Sequence, residues 1–328
     1  MTEPPRIIFW ETTKQCNLRC AYCRVLKNGP SSEFTTEEAF WLVSDIKGNF
    51  PDALLIFSGG EPLLRRDLFD ILLYASSLRL KVSLATNGTL LGRREAAKLK
   101  KIGIGRVSIS LDSSEEVYHD MSRGIQGSYR KALYAASVLK DEDVPLQINF
   151  TVARSNMHEI VDIAELSYSL GAEALHYFIL VATGCGRELE EDEMLDAGQM
   201  DEVLRTVKRI SRDFPMEIRP ICAPQYVRFV EGGENRGCHA GSRVFFISSE
   251  GDLYPCGYLP AKAGSIRKES IDDIWKNSPV FTALRRNELK GACSHCIYKE
   301  MCRGCRARAY SRTGDYLAGD ESCLTVAR

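Results

Sequence analysis

Six β-rich runs, at 6–12, 53–57, 81–85, 106–111, 147–152 and 174–180, alternate with helical stretches near 36–47, 67–77, 93–101, 129–140, 157–170 and 199–212. Strand-then-helix units at roughly 30-residue spacing imply parallel strands joined by right-handed crossovers. A three-quarter barrel and an open doubly wound sheet both satisfy that pattern. In either, functional groups collect beyond the C-terminal ends of the strands. The chemically active residues fall there: Cys16, Cys20 and Cys23 follow the first run, Ser58-Gly-Gly-Glu-Pro62 the second, Thr86-Asn-Gly88 the third and Asp112 the fourth. After Arg212 the alternation breaks down into short strands, turns and cysteines. This predicts two domains, 1–213 and 214–328, the second organised by metal rather than by a large core.

Lys plus Arg (43) nearly balances Asp plus Glu (44), so no global field favours nucleic acid or a membrane surface. No apolar run reaches the roughly 18 residues of a spanning helix. The N-terminus shows no basic stretch leading into an apolar one, so the expected location is the cytoplasm. In that reducing compartment twelve cysteines indicate metal or redox chemistry rather than disulfides. Three lie by residue 23, the next is Cys185, and eight run from Cys222 to the end, which implies two separate metal regions.

The spacing C-x3-C-x2-C at Cys16, Cys20 and Cys23 supplies three thiolates, enough to hold three irons of a [4Fe–4S] cube with the fourth left open. A closed electron-transfer cluster takes four. Structural zinc is the alternative, although zinc pairs usually have a second pair well downstream. The tail carries Cys238, Cys256, then Cys293-x2-Cys296-x5-Cys302-x2-Cys305, then Cys323. Seven thiols are one short of two closed cubes, and Cys222 or Cys185 could be the eighth. The pairs at 293/296 and 302/305 also suit a zinc ribbon. Gly59 and Gly60 let a ligand approach the main chain, and Glu61 offers a carboxylate at the rim. An open iron, a backbone edge and a carboxylate suit a ligand with α-amino and α-carboxyl groups, such as S-adenosylmethionine.

Through Cys16-x3-Cys20-x2-Cys23 and Gly59-Gly60-Glu61-Pro62 the chain resembles the radical S-adenosylmethionine enzymes over residues 5 to about 213. The resemblance implies an α/β fold, a partial (β/α)6 TIM-like barrel. It also implies a [4Fe–4S] cluster on the three cysteines, with S-adenosylmethionine chelating the open iron and being cleaved to methionine and a 5′-deoxyadenosyl radical. By the same resemblance Tyr22 stacks near the adenine and Glu61 accepts from the methionyl amine. Ser110 and Arg123 become candidates for the methionyl carboxylate. The tail is similar to a SPASM-type auxiliary-cluster domain, departing from its usual pattern at Cys302-x2-Cys305. Carried over, Cys293, Cys296, Cys302 and Cys323 hold an outer [4Fe–4S] cluster. Cys238, Cys256 and Cys305 hold an inner one, with Cys222 as its fourth ligand unless that iron stays open. Cys185 is placed over the barrel mouth.

The strings Leu180-Val-Ala-Thr-Gly-Cys-Gly186, Cys222-Ala-Pro-Gln-Tyr226 and Pro255-Cys-Gly-Tyr-Leu259 are similar to the haem-biosynthesis branch of that family. This implies a porphyrin-type substrate: oxidative decarboxylation of two propionates of iron-coproporphyrin III to vinyls, giving haem b. A didecarboxysirohaem deacetylase, a haem d1 enzyme, a peptide maturase and a non-catalytic iron–sulfur or zinc protein are the alternatives. A reductase or a flavodoxin or ferredoxin would supply electrons. Axial iron ligands could come from His176, His239 or Cys185, and carboxylate clamps from Arg243 or the arginines at 303–312.

Overall fold

The computed structural model describes residues 2–25, 32–230 and 237–325. The first half builds β1 (Ile7–Glu11), α1 (Thr36–Asn49), β2 (Leu54–Ser58), α2 (Leu68–Ser77), β3 (Lys81–Thr86), α3 (Arg93–Ile102) and β4 (Arg106–Ser110). It continues with α4 (Glu116–Arg123), α5 (Ser128–Asp141), β5 (Leu146–Val152), α6 (Ile160–Ser169), β6 (Ala174–Ile179), α7 (Glu190–Glu193) and α8 (Ala197–Ile210). Beyond residue 213 come β7 (Glu217–Ile221), β8 (Val244–Ile247), β9 (Asp252–Tyr254), β10 (Gly264–Ser265), α9 (Ile271–Asn277), α10 (Pro279–Arg286), α11 (Lys299–Cys302) and α12 (Arg306–Thr313).

The ten strands among the described residues form one sheet, ordered β10-β9-β8-β1-β2-β3-β4-β5-β6-β7. Strands β1 to β7 run parallel, β8 lies parallel to β1 on its other side, and β9 and β10 complete that edge as antiparallel strands. The six predicted strands are all present, and this is the partial (β/α) barrel. Along each strand alternate residues face the helices: Ile8 and Trp10, Leu55 and Phe57, Val82 and Leu84, Val107 and Ile109 are buried in the main core. Helix starts follow local chemistry. Thr35 caps α1 with a reciprocal Glu38 bond, which satisfies donors the first turn leaves open.

Two elements departed from the sequence pattern. β7 contains Arg219-Pro220, which the sheet tolerates because β7 is an edge strand and one side needs no donors. Helix α4 is inverted. It buries His119, Ser122 and Arg123 and exposes Val117 and Met121, so no apolar face marks it.

The tail is not organised by metal alone. Phe245, Ile247, Leu253, Ile271, Ile274, Trp275 and Phe281 belong to the same continuous core as the barrel. The reason is that β8 pairs directly with β1, so apolar side chains of the tail meet the barrel's own helices. Among the described residues a smaller cluster, around Val181, Leu259, Leu284, Cys305 and Ala307, packs with Cys222 and Cys256.

Candidate active site

The cysteine loop leaves β1 and is held on three sides. Toward β2 the pairing runs on past the strand ends: Thr12 N donates to Ser58 O (2.8 Å), Gly60 N to Thr13 O (2.7 Å) and Glu61 N to Gln15 O (2.7 Å). Toward α4, Arg19 N donates to Arg123 O and Ala21 N to Ser122 O, each at 3.0 Å. On the third side Cys185 N donates to Cys23 O at 2.8 Å. Cys185 therefore lies against the cysteine loop, in the turn after β6.

This revises what the two glycines are for. What approaches them is the chain's own loop: a Cβ on Gly60 would stand 2.2 Å from the Gln15 carbonyl oxygen, and one on Gly59 2.5 Å from Thr13 O. Gly60→Ala should therefore force the loop off the β2 edge. We expect a stability loss of at least about 2 kcal/mol together with loss of iron from the loop, read by urea unfolding and by iron-to-protein ratio. Parental values for both would refute this account.

Glu61 is likewise not at the rim. It is fully buried, and its oxygens accept from Thr86 Oγ1 (2.7 Å), Asn87 N (2.8 Å) and Leu63 N (3.1 Å). Burial raises its pKa, against the pull of those donors. The carboxylate ties the turn after β2 to the turn after β3. Asn87, brought in by that tie, lies 4.0 Å from Cys16 Sγ, and Leu18 N donates to the same sulfur at 3.4 Å. Pro62 begins a short 3-10 turn that Glu61 caps.

Around Cys20 stands a buried polar group. Arg123 Nη1 is 3.7 Å from Cys20 Sγ, and its Nε pairs with Asp112 Oδ2 at 2.5 Å. Tyr22 OH donates to the same Asp112 oxygen, and the Arg123 guanidinium lies 5.5 Å from the Tyr22 ring centre. Thr151 N donates to the other Asp112 oxygen at 3.1 Å. Burial opposes the Arg123 charge, yet Asp112 and Cys20 hold its pKa above the usual value. Burial also raises the Cys20 thiol, with Arg123 pulling the other way. Ser110, at the end of β4, is in register with Asn149 of β5. Asp112, Asn87 and His119 were not assigned roles from sequence, although Asp112 and Asn87 follow strand ends.

His119 accepts from Asp112 N at 3.1 Å, and burial, then Arg123, lowers its pKa to about 4. The folded state thus prefers the neutral ring. The stability this brings is complete above the unfolded value of about 6.5 and is lost as pH falls toward 4, amounting to about 3 kcal/mol. Urea unfolding across pH 7 to 4 should therefore show a shallower decline for His119→Gln than for the parent. Parallel curves would rule this out.

The tail thiols sort into two sets. Cys222, Cys238, Cys256 and Cys305 act on one another: Cys222 donates to Cys305, and the charges of Cys305 and Cys238 weigh on Cys256. Cys293 is influenced by Cys296, and Cys302 by Cys323 and Cys293. Backbone donors aim at the second set, with Gly304 N 3.5 Å from Cys302 Sγ and Asp320 N 3.4 Å from Cys293 Sγ. Cys222, with a left-handed φ of 59°, joins the first set, and Cys185 belongs to neither.

The expected substrate contacts are mostly committed elsewhere. His176 is engaged at both ring nitrogens, with Gln147 (3.1 Å) and Glu217 (3.4 Å). Arg306 donates to Tyr316 O and Ala318 O, Arg308 to Cys222 O, and Arg312 pairs with Glu190 and Glu321. Arg243 lies 3.9 Å from Glu3. Arg306 and Arg308 hold the tail together because its partly buried carbonyls and the buried Asp320 carboxylate need donors.

Among the described residues no three Cys, His, Asp or Glu close on a point as a single-ion site does. The fit to iron–sulfur clusters rests on the donor sets: a loop of three thiols beside a cation, and two sets of four with N–H groups directed at sulfur.

Known proteins agree. The family described as the Radical SAM superfamily matches residues 10–167, and the SPASM iron–sulfur cluster-binding domain matches 238–306. An "AdoMet-dependent heme synthase" of Methanosarcina barkeri is 40% identical over 99% of this chain and 97% of its own. One of Nitratidesulfovibrio vulgaris is 35% identical over 97% of this chain and 92% of its own. The solved structure of Streptococcus suis SuiB bound to S-adenosylmethionine shares the fold, with a TM-score of 0.81 at 16% identity, over 98% of this chain and 77% of that one. The two matched families span the three-cysteine loop and six of the tail cysteines, and this chain belongs to the radical SAM enzymes with a SPASM iron–sulfur domain.

Proposed function

We propose that this chain is a radical SAM haem synthase, which decarboxylates two propionates of iron-coproporphyrin III to vinyl groups. The observation that carries this reading is near full-length similarity to heme synthases in a chain that carries three thiols on one loop and eight in its tail. Per propionate, one S-adenosylmethionine and one electron yield methionine and 5′-deoxyadenosine, while the side chain gives up one hydrogen atom, carbon dioxide and one electron to become a vinyl.

The chain's own residues bind and orient. Cys16, Cys20 and Cys23 hold the open cluster; Tyr22, Gly59, Gly60, Glu61, Pro62, Ser110 and Arg123 form the S-adenosylmethionine site. Gly60 and Glu61 act there through the backbone they anchor. Arg123, held by Asp112 beside Cys20, is the cation for the methionyl carboxylate. In the tail, Cys222, Cys238, Cys256 and Cys305 form the inner ligand set and Cys293, Cys296, Cys302 and Cys323 the outer one, assigning 1–213 to cofactor cleavage and 214–328 to the auxiliary clusters. The released electron leaves through that tail. A flavodoxin- or ferredoxin-type donor supplies the incoming one, in the cytoplasm. Twelve free cysteines support a reducing compartment, and among the described residues no helix is long and apolar enough to cross a membrane.

The test is an anaerobic assay of reconstituted, reduced protein with S-adenosylmethionine and iron-coproporphyrin III, followed by mass spectrometry. Loss of two carboxyl groups coupled to 5′-deoxyadenosine is expected. Deoxyadenosine with an unchanged porphyrin would overturn the substrate assignment and leave the radical chemistry standing.

A further inference from the structure

A residue that is not a cysteine, Asp320, touches both tail thiol sets. Asp320 is 1% exposed, and its backbone N donates to Cys293 Sγ of the outer set at 3.4 Å. Its Oδ2 accepts from Cys305 N of the inner set at 2.8 Å, and from Gln225 Nε2 at 3.1 Å. The other oxygen accepts from Ser322 Oγ at 2.8 Å. Arg308, itself 1% exposed, places Nη1 3.8 Å from Oδ2 while donating to the Cys222 carbonyl. The sets are also joined covalently, since only Arg303 and Gly304 separate Cys302 from Cys305. A Cβ on Gly304 would lie 3.0 Å from Asp320 Cβ and 3.3 Å from Cys293 Sγ, so the three groups are packed together.

A carboxylate beside the thiolates of Cys293, Cys302 and Cys305 is costly to bury, because like charges repel across low dielectric, and Arg308 at 3.8 Å offsets part of that cost. Neutral asparagine has one acceptor oxygen: it could keep the bonds from Cys305 and Gln225, and its NH2 could donate to Ser322 Oγ instead of accepting from it. Apart from that exchange and the 3.3 Å bond from Ser322 N to Oδ1, what asparagine removes is the charge. A fixed negative charge beside an iron–sulfur cluster disfavours adding an electron and so lowers its reduction potential.

Resting on the auxiliary-cluster reading above, we propose that Asp320 is the positioning residue that couples the two auxiliary clusters. Its amide orients the outer set and its carboxylate the inner one, and its charge keeps both potentials low. A low potential would let an electron taken up from the substrate be passed on rather than trapped.

The experiment is an electron-paramagnetic-resonance redox titration of the full-length reconstituted chain, in a Cys16→Ala, Cys20→Ala, Cys23→Ala background that removes the third signal. Asp320→Asn should retain the parental iron content and shift both auxiliary midpoints to less negative values. Two unmoved midpoints, or movement in only one, would overturn the proposal. Should Asp320→Asn fail to take up iron, Asp320→Glu decides. Iron restored, with midpoints near parental, supports a role for the charge, and iron lost again assigns the residue to folding alone. A parent chain without two auxiliary signals would sink the auxiliary-cluster reading, and this proposal with it.

Discussion

Cys20→Ala is expected to abolish 5′-deoxyadenosine formation, by more than about 10³-fold. Changes in groups that merely support a metal ligand already cost about 10–100-fold, and this removes a ligand itself. Cys20 is also the thiol beside Arg123, so its loss removes one of the two groups that hold the cation we assign to the methionyl carboxylate and leaves it on Asp112 alone. The effect should be local. Iron content should drop by roughly four atoms of about twelve, since each cube holds four irons, while the tail keeps its own. Iron analysis and single-turnover deoxyadenosine yield check both halves. Residual turnover above about a hundredth of parental would contradict the assignment of Cys20.

The second large effect is on stability. Arg308→Met should destabilise the reconstituted chain by about 3–5 kcal/mol, because removing one partner leaves a buried charge uncompensated. In this chain Asp320 loses its cation at 3.8 Å, and the Cys222 carbonyl loses the guanidinium that donates to it. A further substitution distinguishes this from simple packing loss. Arg308→Met combined with Asp320→Asn should cost less than Arg308→Met alone, since both charges are then gone. Equal or additive costs, measured by urea unfolding under anaerobic conditions, would show that the pair is not the source.

Much of this protein is readable without coordinates because its signals are local. The six parallel strands show in the β-rich runs, and their ends show in Cys16, Gly59 and Asn87. Where local and tertiary chemistry diverge, reading fails. Helix α4 was missed because its buried face is polar: His119, Ser122 and Arg123 are sequestered by the cysteine loop and Asp112 rather than by an apolar core. Gly59 and Gly60 signal a close approach but not by what. Only pairing across the β1–β2 ends shows that it is Thr13 and Gln15. The zinc-ribbon alternative for 293–305 stayed open in sequence because spacing counts ligands without grouping them. In the fold Cys305 is influenced most by Cys222, and Cys302 by Cys323 and Cys293, which favours the two-cluster grouping we propose.

By itself the sequence determined the chemistry on offer: three thiols on one loop, eight in the tail, and strands that must run parallel. Those follow from residue identity and short-range periodicity, which need no partner to be read. Tertiary structure alone decided which residues share a site. It set Arg123 against Cys20 from 103 positions away, Cys222 with Cys305, and Asp320 between the two tail sets. It also drew the tail into the barrel's core through β8. Such meetings depend on how a whole sheet orders its strands and on which buried charges find a counter-charge, and neither is written in any one stretch of chain.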